Sequence, residues 1–248
     1  MLTMRHHNSH DYAMLPDIDA ADAGKITNDD QACLGEIGDC LLRTGAHSRF
    51  GATLLHSHFP TDDDEILLEE VQTEANSISL RPVRAKPWGL SATNVCFDDA
   101  DARGGGLRLV GLEFALNRAL AGVAPIGEFD GNVLTSLAEI LRRYGKTRRF
   151  GIRLLHDPLN LDGGVLLETC DPIRRILTCR SSTQDDLASV QSIPTVFCWE
   201  EVRERSQGNL FVGQECIQFC KSVQRCVVSA QGSHRNSSSH EPTGHRSV

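Results

Sequence analysis

Aromatic residues are scarce in this sequence, at 5% of its 248 residues. A core built from it must therefore be mostly aliphatic. Basic residues are outnumbered, with 25 Lys and Arg against 33 Asp and Glu and a formal charge of −8. That balance argues against nucleic acid as a partner, because phosphate recognition needs a basic footprint. Long apolar runs are missing too. The longest apolar region, residues 107–126, is broken by Arg108, Glu113 and Arg118, so the sequence predicts no transmembrane helix and no membrane partner. The first fifteen residues contain no apolar h-region, and no secretory signal is expected. Catalytic signatures are also absent: there is no G-x-S-x-G elbow, no P-loop and no kinase motif. Gly104-Gly105-Gly106 is followed by no Lys-Ser/Thr and precedes strand-like sequence, so it reads as a hairpin turn.

Nine cysteines are present. The number is odd, and Cys33, Cys40, Cys170 and Cys179 fall in apolar-periodic segments. They read as reduced, buried thiols of a cytoplasmic protein. Cys216, Cys220 and Cys226 are spaced C-x3-C-x5-C, which lacks the tight pairing and the fourth ligand of a zinc knuckle.

The two ends differ from the middle. Residues 1–28 are polar and aperiodic and read as a flexible arm, and residues 205–248 read as a largely disordered tail. Between them, residues 34–59 match residues 134–159 without a gap. Leu34, Leu41, Arg43, Gly45, Arg49, Phe50, Gly51, Leu54, Leu55 and His56 recur one hundred positions on, ten identities in 26 positions. Chance would give roughly one or two at ordinary composition. After a one-residue gap, Leu67-Leu68-Glu69 matches Leu166-Leu167-Glu168. Leu34, Ile37 and Leu41 share a helical face, as do Leu134, Leu137 and Leu141. Asp29 or Asp30, and Asp130, are placed to cap the helix starts. Gly45 and Gly145 stand where a helix ends on a left-handed residue. Strand-like runs follow in both stretches. The predicted fold is α+β: a tandem duplication of a helix-plus-antiparallel-strands unit over 29–125 and 126–204, forming pseudo-twofold halves.

His56-Ser57-His58 is the sharpest chemical feature. In a strand, residues i and i+2 share a face, so the two imidazoles are placed to ligate one divalent transition metal, with Glu65 or an Asp of 62–64 supplying oxygen. The pattern of Gly51, HxH and Glu65 resembles the first half of a cupin motif. It departs from that motif in the helix before it, in the five residues from Gly51 to His56 and in the seven from His58 to Glu65. The second stretch keeps His156 but has Pro158 where His58 stands. The simpler reading has His56 and His156 closing their strands through hydrogen bonds to the following turn.

Arg49 and Arg149 precede the strand in both stretches. Each is expected to pair with a carboxylate such as Glu69 or Glu168, the alternative being an anion site. The second stretch is basic, with six Lys and Arg in residues 142–153, and the first is acidic over residues 62–74. Opposed signs fit docking of the halves or a homodimer. Two functions follow from these observations. One is a non-enzymatic module that binds a small molecule or a protein partner, with Arg49, His56, Arg149 and His156 as binding residues. The other is a metal-assisted enzyme using His56, His58 and a nearby carboxylate, with His156 brought across from the second half.

Overall fold

The computed structural model describes residues 1–18, 23–84, 88–98, 106–161, 164–183, 186–187, 190–203 and 210–221. Gly104, Gly105 and Cys226 lie outside these, as does the tail from residue 222. The described strands are β1 (Leu2–His6), β2 (Phe50–Leu54), β3 (Ile66–Gln72), β4 (Ser77–Val83), β5 (Leu90–Phe97), β6 (Leu107–Leu116), β7 (Phe150–Leu154), β8 (Val165–Asp171), β9 (Ile176–Ser182), β10 (Ser192–Arg203) and β11 (Leu210–Lys221). The α-helices are α1 (Ser9–Ala13), α2 (Asn28–Arg43) and α3 (Gly131–Arg143).

The strands form one sheet in the order β1-β6-β3-β4-β9-β8-β11-β10-β2-β7-β5, and β5 pairs back onto β6. Ten strands thus close into a barrel, with β1 added alongside β6. The α+β expectation is corrected by this closure. No helix-plus-sheet unit stands alone, because β4 pairs with β9, β2 lies between β10 and β7, and β7 lies between β2 and β5. The inference from ten identities to two halves fails for a physical reason. An alternating pattern identifies a strand and its buried face, but it carries no information about which strand will satisfy its backbone hydrogen bonds.

The matching stretches instead lie against each other. β2 and β7 are antiparallel, with Phe50 opposite Leu154 and Leu54 opposite Phe150. Gly51 and Gly151 are required where other strands cross close by. A Cβ on Gly51 would stand 2.6 Å from the Phe197 carbonyl oxygen, and one on Gly151 would stand 2.4 Å from that of Val95. Phe50, Ala52, Leu54, Phe150, Ile152 and Leu154 join Leu34, Ile37 and Leu41 of α2 and Leu134, Leu137 and Leu141 of α3 in one aliphatic core. The alternate face of the same strands carries Thr53 and Arg153, which point into the barrel.

Local chemistry sets the helix ends. Thr27 caps α2: its hydroxyl accepts from Asp30 N, and the Asp30 carboxylate accepts from Thr27 N. Asp30 also receives Arg149 Nε at 2.8 Å and Lys146 at 2.9 Å. Asp130 receives Arg49 Nε at 2.8 Å and Nη2 at 2.9 Å. Both helices close on glycine, Gly45 at φ +69° and Gly145 at φ +65°. The bonds from Ala46 N to Leu41 O and from Lys146 N to Leu141 O complete a Schellman motif at each end.

Two segments read as loose carry structure. Within residues 1–28, β1 runs parallel to β6, and Asn8 and Asp11 form a capping box on α1. Within residues 205–248, β11 pairs with β10 along its length and with β8 at residues 218–220. No helix among the described residues is long and apolar enough to cross a membrane.

Candidate metal centre

His56 and His58 leave β2 in an extended segment that the N-terminal region holds in place. Asp17 bridges to Ser57, and Ser57 N donates to the Pro16 carbonyl at 2.9 Å. An extended backbone puts residues i and i+2 on one side. The two rings meet edge to face, with centroids 4.5 Å apart. Their side chains are 8% and 4% exposed.

Glu168 on β8 and Cys220 on β11 complete the cluster. They are register partners in the parallel pair of these strands. One ligating atom from each of His56, His58, Glu168 and Cys220 lies within 4.8 Å of every other. Glu168 Oε2 is 3.6 Å from His56 Nε2 and 3.9 Å from His58 Nε2, too far for hydrogen bonds. Two ligands of a tetrahedral zinc ion stand about 3.3–3.6 Å apart, given Zn–N and Zn–S bonds of about 2.0–2.3 Å. Binding such an ion would draw the atoms together, by up to about 1.5 Å at the widest pair.

The outer contacts aim these atoms inward. His56 Nδ1 lies 2.7 Å from the Leu54 carbonyl. A carbonyl only accepts, so the proton of a neutral ring sits on Nδ1 and the Nε2 lone pair faces Glu168. The Gln218 amide donates to Glu168 Oε1, which leaves Oε2 to the cluster. His56 Nε2 and Glu168 Oε2 are buried and have no hydrogen-bond partner. Two buried acceptors that face each other need a cation between them, either a proton or a metal.

Electrostatics follow the same lines. Burial pushes the Glu168 carboxyl up, but His56, His58 and Gln218 outweigh it and hold it at about 2. Burial lowers His56, and Glu168 more than reverses this, leaving it raised. Burial and the neighbouring His56 depress His58 to about 3, so it is a neutral ring and a competent ligand. A void of about 10 Å³ adjoins the cluster, lined by His56, Asn94, Glu168 and Gln218 among others, and that is room for about one water. Asn94 Oδ1 is a further buried atom without a partner.

A second polar cluster faces the interior nearby. His156 Nε2 lies 3.0 Å from Glu69 Oε2. Arg153 Nη2 reaches Glu69 Oε1 at 2.9 Å, Arg153 Nη1 reaches Glu113, and the Thr93 hydroxyl donates to Glu69. Burial opposes ionisation of Glu69, but Arg153 and His156 hold it at about 2. Burial raises the Glu113 carboxyl, with Glu69 and Glu168 adding to the shift against the opposing pull of Arg153.

The structure sorts the residues singled out in the sequence. It keeps His56 and His58 together and places Glu65 elsewhere, with both carboxylate oxygens 2.7 Å from Arg175. His156 does not join the cluster of His56, His58, Glu168 and Cys220, and its Nε2 is engaged by Glu69 instead. His156 does resemble His56 in one respect, its Nδ1 lying 3.1 Å from the Leu154 carbonyl. Arg49 and Arg149 pair with Asp130 and Asp30, not with Glu69 or Glu168. Each also donates to loop carbonyls, Arg49 to Ala124 and Pro125 and Arg149 to Ala23 and Lys25. They clamp helix N-termini.

Glu168 and Cys220 were not chosen from sequence as ligands. Glu168 left a signal: a glutamate recurs at the end of both Leu-Leu-Glu runs, and a charge in a buried strand requires a partner. Cys220 lies in a segment read as tail, and its C-x3-C-x5-C spacing points to Cys216 and Cys226 as co-ligands rather than to His56, His58 and Glu168. Compared with protein-family models, curated proteins and solved structures, the chain matches none.

Proposed function

We propose that this chain is a metal-binding β-barrel protein that holds one divalent transition ion, zinc by the chemistry of its donors, on His56, His58, Glu168 and Cys220. One observation carries the reading. His56 Nε2 and Glu168 Oε2 are buried without partners and face each other across 3.6 Å, with His58 and Cys220 beside them. Two imidazoles, a carboxylate and a thiolate form a borderline-soft set that suits zinc. Four protein ligands fill a tetrahedral shell, which supports a binding role over catalysis. A cytoplasmic setting accords with it, since none of the seven cysteines whose side chains are described is in a disulfide.

The test is elemental analysis of protein purified without chelator, followed by zinc titration. About one ion per chain is expected. It should be lost in His58→Ala and Glu168→Gln and kept in Glu65→Gln. Binding should weaken as pH falls, starting above the ordinary imidazole value of about 6.5, because His56 is raised by Glu168 and must lose its proton to ligate. Metal content near zero, unchanged by added zinc, manganese or iron, would mean that a proton or a water fills the gap.

A metal-assisted enzyme is the second reading. It is favoured by the void beside His56, Asn94 and Glu168, which gives room for one solvent molecule next to the ion. Azide-dependent change in the visible spectrum of cobalt-loaded protein would support it, and an azide-insensitive spectrum would reject it.

A further inference from the structure

A cavity of about 520 Å³ opens to solvent between β7, β8, β10 and β11. Leu155, Leu159, Val165, Leu166, Ile217 and Phe219 form its apolar walls. That size and lining suit a small molecule. The floor is polar, made by Arg153, His156 and Gln218, and each of these already faces a carboxylate. Arg153 gives Nη1 to Glu113 and Nη2 to Glu69, His156 Nε2 faces Glu69, and the Gln218 amide serves Glu168. A ligand carboxylate entering here would meet no uncommitted cation among the lining residues.

The remaining lining charges are negative. Asp157 and Glu200 are exposed and line the same cavity. Asp157 accepts from Leu161 N through Oδ2 at 2.7 Å, which leaves lone pairs for a ligand. We infer that the cavity binds a small amine: an apolar body lies over the leucines, and its ammonium group is held at the mouth by Asp157 or Glu200. An ammonium suits this place because its charge stays partly hydrated while its carbon chain is buried. The inference does not rest on the metal centre, although Gln218 borders both sites.

Three probes with one body separate the alternatives: 4-phenylbutylamine, 4-phenylbutanol and 4-phenylbutyrate, titrated calorimetrically into the full chain with and without zinc. The amine should bind at least about tenfold more tightly than the carboxylate, with the alcohol between them. The preference should shrink as salt rises, since the mouth is exposed. Combining Asp157→Asn with Glu200→Gln should remove most of it while leaving alcohol binding unchanged. Leu159→Trp, in a loop of the wall, should block all three probes. Equal or tighter binding of the carboxylate would overturn the inference, as would failure of all three probes to bind. Amine binding that survives Leu159→Trp would place the amine elsewhere and overturn it too. Amine selectivity in a protein that never takes up zinc would sustain this inference while removing the metal reading.

Discussion

Glu69 and Glu168 each face a histidine inside the barrel, and they differ in how the second carboxylate oxygen is used. Glu69 is fully engaged, by His156 at one oxygen and by Arg153 and Thr93 at the other. Glu168 has Gln218 at one oxygen and leaves the other unpartnered. The surrounding residues diverge in the same sense. Thr53 stands where the other stretch has Arg153, and His58 where it has Pro158. On the neighbouring strands, Ala115 is opposite Glu69 and Glu113 opposite Leu67, whereas Cys220 is opposite Glu168 and Gln218 opposite Leu166. A buried carboxylate needs a cation. One cluster has its cation built into the chain as Arg153, and the other has ligating atoms around a gap.

The largest effect should come from removing the built-in cation. Arg153→Met leaves Glu69 and Glu113 buried beside each other and should cost about 3–5 kcal/mol, read from the urea midpoint. A loss below about 1 kcal/mol, the scale of an exposed pair, would show that the guanidinium does not hold this cluster. The same cluster shapes the acid limb. Glu69 is held at about 2 against an ordinary 4.5. A carboxyl depressed on folding contributes stability that is whole above its unfolded pKa and lost as pH falls through the folded one. Glu69→Gln should therefore flatten the stability–pH curve between about 4.5 and 2. An unchanged acid limb would assign it to other carboxylates.

Next comes the contrast in metal binding. Glu168→Gln should weaken zinc binding by more than the roughly 10–100-fold loss typical of an outer-shell partner. Glu69→Gln should leave it unaltered, and competition with a chromophoric chelator measures both. Equal losses would erase the distinction between the clusters. Gln218→Leu tests the outer contact alone. It should weaken zinc binding by about 10–100-fold with the fold intact, because Glu168 loses its orienting donor. Unchanged affinity would mean that the strand alone positions the carboxylate.

The smallest effects belong to the helix ends, where the two regions should agree. A Cβ added at Gly45 or Gly145 meets nothing within 4 Å, so Gly45→Ala and Gly145→Ala cost only left-handed backbone strain, about 1–2 kcal/mol each. Chemical denaturation giving a neutral result at one and a loss at the other would show that the two helices end differently in solution.

Much of the local structure was legible in the sequence. The leucine spacing marked α2 and α3, and Gly45 and Gly145 marked their ends, because helix periodicity and left-handed termination depend on residues a few positions apart. His56 and His58 were legible as a pair for the same reason, since i and i+2 share a face in any extended segment. The acidic ligand was sought in the nearest loop, where Glu65 had a closer claimant in Arg175. Nothing in the sequence pointed to β11 as the last strand of the barrel, although it carries Gln218 and Cys220.

What the sequence determined by itself was therefore short-range: which segments are helical or extended, where α2 and α3 stop, and which two histidines face the same way. Only the tertiary structure decided that the strands close into one barrel, that Glu168 rather than Glu65 meets those histidines, and that Arg153 satisfies one cluster while the other stays open. The reason is physical. Backbone preferences act between neighbours in the chain, whereas strand ladders and buried charges are satisfied by whichever distant group reaches them. His56 and Glu168 meet across more than a hundred residues of sequence, and no local pattern encodes that contact.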